Sequence, residues 1–259
     1  MNIGHDNSAG GELRAMMKNQ VIQQWFALPA KDLLKEIFVS FGQKAAIGTS
    51  FQKTGVVTID ITARVIPEFR VFTIDTGRLF PETHEYMKQI AERYHLNLEV
   101  YTCNEHEAQK IVAQSLYQDY LFLQNQTMRR QCCYVRKIMP RNRALQTLDV
   151  WIAGLRRDQS EFRSRMKKVA TVSIEGRTLL KVAPLFDWTE QALDAYIHDH
   201  HIPVHPLYAQ GYKTIGCQYP CSTLSIEGED LRTGRWRWEQ SSTKECGFHL
   251  ENDHFERGH

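Results

Sequence analysis

The chain has 259 residues, 42% of them hydrophobic and 24% charged, with a formal net charge of +2, the balance of an ordinary globular protein with room for one large α/β domain and an appendage. It has no apolar run of about 18 residues, which excludes a conventional transmembrane helix. The opening MNIGHDNSAGGELR lacks the apolar centre of a signal peptide, so residues 1–11 are expected to be a disordered leader and the protein cytoplasmic.

Residues from about Glu12 to Gly42 read as helical, divided near Pro29–Ala30. Lys44–Ile47 is a short apolar strand leading into GTSFQKTG, Gly48–Gly55, and then the helical run VVTIDITARVI. Strand, small-residue loop and helix together form a unit that can seat an anion on exposed N–H groups, although GxxxxGK[ST] is absent. A second strand, Arg70–Ile74, precedes DTGRLFPETHEYMKQIAERYH, where Pro81 and Glu82 suit the first turn of a helix. Asn97–Thr102 reads as a third strand and Asn104–Tyr120 as mostly helical. A helix through TMRRQCCYVRK is expected to continue to Leu148. Val150–Ala153 is a fourth strand ending in GLRRDQSEFRSR, and Leu179–Val182 a further one. WTEQALDAYIHDHHIP is an amphipathic helix that Thr189 can cap.

Strands alternating with helices imply an α/β fold with a doubly wound, mostly parallel sheet. Ligands in such folds sit at the carboxyl ends of the strands, where Gly48–Gly55, Asp75–Arg78 and Gly154–Arg165 would converge. The chain is expected to divide into a nucleotide-binding domain, residues 12–222, and a C-terminal tail, residues 223–259, that docks on it. Between Arg129 and Lys168 there are twelve Arg or Lys against three Asp or Glu. This block has almost no aromatic interleaving for stacking bases, which favours a small polyanion over a nucleic acid.

Six cysteines in a reducing compartment point to metal or redox chemistry more than to disulfides. Cys132–Cys133 and Cys217–Cys221 form two pairs suited to a four-thiolate site. An iron–sulfur cluster, zinc and no metal all stay open from spacing alone, although an adjacent pair and a C-x₃-C fit zinc knuckles poorly. Cys246 stands apart in a polar tail beside Lys244, and Cys103 reads as a small core residue. His200, His201 and His205 read as surface or structural groups.

In this order, CCYVRK, FTIDTGRLFPET, WIAGLRRDQSEFR, HPLYAQGYKTIGC, EDLRTGRW and KECGFH resemble the assimilatory adenylyl-sulfate (APS) reductases. These are grouped with the PAPS reductases in the adenine-nucleotide α-hydrolase-like fold, and the two cysteine pairs resemble the cluster-bearing branch. The resemblance implies thiol-dependent reduction of APS to sulfite and AMP in sulfate assimilation. Cys246 would be the nucleophile that becomes S-sulfocysteine, and a thioredoxin- or glutaredoxin-like dithiol would release sulfite. It further implies a 4Fe–4S cluster on Cys132, Cys133, Cys217 and Cys221 that shuttles no electrons in turnover, with Lys137 between cluster and substrate. Arg232, Arg235 and His249 would contact the substrate from a mobile tail, and Arg163 or Arg165 would add another anion contact. Ser50, Phe51, Gln52, Lys53, Thr54 and Gly55 match the phosphate loop, and Asp75, Thr76, Gly77 and Arg78 the segment around the adenosine. Assembly into a homo-oligomer is expected, without nucleic acid or membrane. Two alternatives stand beside this reading: a PAPS or dual-substrate reductase, and a metal- or cluster-bearing nucleotide-binding module without turnover. One departure is Cys217-Gln-Tyr-Pro-Cys221, which has one residue more than the family's usual spacing. The extra residue is either absorbed as a bulged turn or weakens one ligand.

Overall fold

The computed structural model describes residues 23–113, 115–226, 231–239 and 245. Strands β1 (Ala45–Gly48), β2 (Arg70–Asp75), β3 (Leu98–Thr102), β4 (Val150–Ala153), β5 (Val169–Ile174) and β6 (Arg177–Val182) make one sheet in the order β3–β2–β1–β4–β6–β5. All pairings are parallel except the β5–β6 hairpin at one edge. Every residue of β1 and β4 is buried, as expected of central parallel strands covered on both faces.

The two-residue side-chain period of these strands feeds two cores. Ala45 and Ile47 of β1, with Val150 and Ile152 of β4, pack against helices α1 (Ala30–Phe41), α2 (Lys53–Ala63), α3 (Pro81–Arg93) and, further along the chain, Glu190–Asp199. Ala46, Trp151 and Ala153 face the opposite core, which includes Phe72 and Ala144–Leu145. β1 and β4 are neighbours, but the chain leaves β1 towards β2 and β3 and leaves β4 towards β6. The strand order therefore reverses at the centre, and the loops after β1 and β4 diverge to open a crevice.

The structure refines several expected boundaries. α2 starts at Lys53, inside GTSFQKTG, rather than after Gly55. Between α4 (Glu105–Val112) and the cysteine pair lies a 3₁₀ segment, Gln118–Leu123. The long helix through the cysteine pair is three pieces. α5 (Gln126–Cys133) is capped by the Asn125 side chain, which accepts from the Met128 N–H at 2.9 Å. A π-helical turn, Tyr134–Ile138, follows, and then α6 (Met139–Leu145). The strand β5 is absent from the sequence reading, which found only its partner β6. A tight turn joins them through Glu175 (φ 49°) and Gly176 (φ 78°), whose positive φ angles match the hairpin twist. Helix α7 (Glu190–Asp199) begins as expected, with the Thr189 hydroxyl accepting from the Ala192 N–H.

Beyond Ser222, the described residues return to the main body. The Thr223 N–H donates to the Gly234 carbonyl at 2.9 Å, Ser222 and Arg235 form an antiparallel bridge, and Trp236 is buried beside Cys132 and Cys221.

Candidate active site

A cavity of about 130 Å³ opens at the carboxyl ends of β1, β2 and β4. Its floor is the loop Gly48–Ser50 and the first turn of α2, and one wall is Thr73, Ile74 and Thr76 at the end of β2. Gly154, just after β4, lies against the floor: a Cβ there would stand 3.0 Å from the Gly55 nitrogen, so a glycine lets the two loops touch. On the far side are Lys213–Gly216, Arg232 and Arg235.

The α2 end of this cavity is charge-compensated. The Lys53 ammonium donates to Asp194 at 2.7 Å and Glu190 at 3.3 Å and lies over the Tyr208 ring. Arg156 is fully buried, donating to Thr54 Oγ1 at 3.1 Å and Asp158 at 2.9 Å and pairing also with Glu190. The Gln52 side-chain carbonyl accepts from the Ile215 N–H at 3.1 Å, tying the loop to the opposite wall.

Lys137, Arg163, Arg232 and Arg235 also line the cavity. Glu245 reaches this group: Arg163 donates to its two oxygens at 2.9 and 3.3 Å, and Arg232 Nε lies 3.2 Å away. Burial alone would raise the Glu245 pKa, but Arg163 and Arg232 outweigh it and hold the carboxyl below its ordinary range.

A second cavity adjoins the first, and Thr76, Lys137 and Arg235 line both. Cys132, Cys133, Cys217 and Cys221 converge on it from two segments 84 residues apart in sequence, together with Arg78, Arg129 and Arg136. Burial, and then the nearby Cys217, pushes the Cys132 thiol up to about 11 and Cys221 up to about 12. Trp236 closes this cavity, with the Arg129 and Arg235 guanidinium groups 4.3 and 4.7 Å from its ring centre. Arg129 is held by a buried two-pronged pair with Glu239 at 2.7 and 2.8 Å.

The extra residue between Cys217 and Cys221 is accommodated as a turn. The Cys221 N–H donates to the Gln218 carbonyl at 3.0 Å, and Tyr219 points to solvent while Pro220 is buried. Gln218 fastens the turn to the end of the β2 loop through the Arg78 carbonyl (2.8 Å) and the Leu79 carbonyl (2.6 Å).

A four-thiolate group suits this second cavity by donor chemistry. Among the described residues, Arg129 Nη1 and Arg235 Nε are buried without a hydrogen-bond partner beside the four sulfurs. A net-negative thiolate centre complements such a cation shell. No three of the described His, Cys, Asp and Glu side chains already stand in a metal-binding arrangement.

Of the residues singled out from sequence, Ser50, Gln52, Lys53, Thr54, Gly55, Thr76, Lys137, Arg163, Arg232 and Arg235 come together around the first cavity, and Arg78 joins the cysteines around the second. Four do not reach either wall. Phe51 is fully buried in the core at φ 54°, because the turn that exposes its neighbours directs its ring inward. Asp75 instead accepts from the Gly77 N–H at 2.8 Å, closing a turn in which Gly77 adopts φ 66°. Arg165 is exposed and pairs with Glu161 one helical turn earlier. Cys246 and His249 lie outside the described residues.

Sequence reasoning missed Arg136, which donates to the Thr76 carbonyl at 3.2 Å, and the carboxylates Glu190, Glu239 and Glu245, each paired with an arginine far away in sequence. His205 is a core group: its Nδ1 accepts from the Leu207 N–H, so Nε2 carries the proton given to Thr83.

The Phosphoadenosine phosphosulfate reductase domain model matches residues 44–224. A protein of Burkholderia cepacia named adenosine 5′-phosphosulfate reductase is 38% identical over 180 residues, 70% of each chain. One of the same name from Neisseria meningitidis is 33% identical over 242 residues, 93% of each chain. The crystal structure of phosphoadenylyl-sulfate reductase from Candida auris, a phosphate complex, superposes with a TM-score of 0.62 at 22% identity, covering 85% of this chain and 98% of that one. With the matched region spanning the sheet, the crevice and both cysteine pairs, the chain belongs to the phosphoadenosine phosphosulfate reductase family.

Proposed function

We propose that the protein reduces adenosine 5′-phosphosulfate to sulfite and AMP at the first cavity, using a dithiol donor. The observation that carries this reading is the set of cations lining the cavity, Lys137, Arg163, Arg232 and Arg235, of which Arg163 and Arg232 meet the tail at Glu245, the residue before Cys246. In the step proposed, the Cys246 thiolate attacks the sulfate sulfur. An S–S bond forms, the bridging S–O bond breaks, and its electron pair leaves on the AMP phosphate. The result is an enzyme S-sulfocysteine. A thioredoxin- or glutaredoxin-like dithiol then attacks the Cys246 sulfur, sulfite departs with the S–S pair, and the donor's second thiol closes a disulfide and regenerates Cys246.

Fixed cations stabilise the charge that builds on the sulfate oxygens and the departing phosphate. His249 completes the tail's contacts in this reading, and Thr76 with Ser50, Gln52, Thr54 and Gly55 holds the nucleotide. The four cysteines Cys132, Cys133, Cys217 and Cys221 would hold a 4Fe–4S cluster, whose negative charge tunes the cations around it. Arg78, Arg129 and Arg136 would compensate that charge, while Lys137 and Arg235, which line both cavities, link the two sites. A cytoplasmic setting suits the dithiol donor and the reduced thiols. Assembly as a homo-oligomer completes the proposal.

The test is anaerobic purification, an iron and sulfide count, and sulfite release assayed with APS and with PAPS. The expected result is four irons per chain (the stoichiometry of the cluster type), sulfite from APS, and none from Cys246→Ser. A preference for PAPS would move the substrate assignment to the phosphorylated nucleotide. An iron-free yet fully active protein would sink the cluster.

A further inference from the structure

If, as proposed above, the arginines lining the cavity receive the substrate's oxyanion, the chain already places an anion on two of them. The Glu245 carboxylate takes two hydrogen bonds from Arg163, lies 3.2 Å from Arg232 Nε and has a side chain only 5% exposed. Both arginines line the cavity, and Arg235 adds to the attraction. Carboxylate, sulfate and phosphate present the same acceptor chemistry to a guanidinium fork.

We infer that Glu245 is a specificity-determining internal competitor: its tethered carboxylate occupies the Arg163–Arg232 pair against free inorganic oxyanions and yields to a nucleotide. The physical basis is effective concentration. A group held on the same chain competes at about the millimolar level or above, whatever the solution contains. Inorganic sulfate meets only the arginines and loses that competition. A sulfated nucleotide makes further contacts along the cavity, at Thr76 and the loop to Gln52, and those contacts offset the displacement of Glu245. Glu245 thereby sets what the arginines bind without being consumed in the reaction.

The experiment uses the full chain with inorganic sulfate as probe at constant ionic strength. Sulfate affinity is read from the rise in thermal midpoint and from inhibition of sulfite release. Glu245→Gln keeps the size and removes the charge. It should bind sulfate at least ~10-fold more tightly than wild type, while Glu245→Asp should stay within about 3-fold of wild type. The gain should vanish when Arg163→Ala is added. Unchanged or weaker sulfate binding in Glu245→Gln overturns the inference, as does a gain that survives Arg163→Ala. If Glu245→Gln fails to fold, the wild type decides: sulfate binding tighter than about 1 mM overturns the inference and weaker binding supports it. Wild-type protein that obeys this pattern but releases no sulfite from APS keeps the competitor and removes the proposed reaction.

Discussion

Gly216→Ala isolates the duty of Arg235. An ideal Cβ at position 216 would stand 1.8 Å from Arg235 Nη1 and 2.5 Å from Cζ and Nη2. Reaching an ordinary contact requires the guanidinium to retreat by about 1.6 Å, and the side chain has little freedom to do so. Arg235 is buried, its Nη1 donates to Ser222 Oγ at 2.8 Å, and its backbone is bridged to Ser222. Overpacking of this kind costs about 1–3 kcal/mol, a fall of roughly 2–12 °C in thermal midpoint for a chain of this size. The functional loss should be larger, because a displacement of about 1 Å in a positioning group can cost about 10²-fold in rate. The assay is kcat/KM for sulfite release from APS, with thermal unfolding in parallel, in wild type, Gly216→Ala, Arg235→Ala and the double variant. If the methyl acts through Arg235, Gly216→Ala should add little to Arg235→Ala. Activity of Gly216→Ala within about 3-fold of wild type, or full additivity in the double variant, refutes the reasoning.

Three further outcomes follow from described contacts. Glu239→Gln leaves the Arg129 charge buried without its two-pronged partner and should destabilise the protein by about 3–5 kcal/mol in urea titration, whereas a combined replacement of Arg129 and Glu239 by Met and Leu should cost less; equal losses would argue against the pair. Burial holds the His205 pKa down at about 4 against an ordinary 6.5, so the unfolded chain binds the extra proton between these values and stability falls as pH drops through that window. Relative to His205→Gln, the wild type should lose about 3 kcal/mol more between pH 6.5 and 4, and parallel curves would rule out His205 as the cause. Lys137→Ala should lower kcat/KM by more than about 10-fold with iron content unchanged, since Lys137 lines both cavities and carries no sulfur; loss of iron in step with activity would assign it a structural part instead.

Much of the site was legible because its signals are local. The run from β1 through a small-residue loop into α2 is visible as an apolar tetrapeptide followed by turn formers and then a helical pattern. Pro81 and Thr189 announced the starts of their helices, since each acts within the first turn. β5 was missed although Ala170, Val172 and Ile174 alternate with Thr171 and Ser173 along the chain, a period of two that its burial follows; only its pairing with β6 across the Glu175–Gly176 turn needed the fold. Phe51 was misplaced because, within a phosphate-type loop, side-chain direction depends on a left-handed φ that an aromatic residue seldom adopts. Lys53 read as an anion ligand, yet its ammonium is drawn to Glu190 and Asp194, residues whose proximity depends on α7 packing against α2.

By itself, the sequence determined the alternating α/β order, the two thiol pairs and the basic block, because periodicity, spacing and charge are written along the chain. Only the tertiary structure decided which distant groups meet. The sheet order brings the β1 and β4 loops together, and the packing of α5 and the described tail segments sets Cys132 near Cys221, Arg129 on Glu239 and Arg163 on Glu245. Such pairs span roughly 80 to 110 residues, and a buried charge takes whichever opposite charge the fold leaves within reach, which no local pattern specifies.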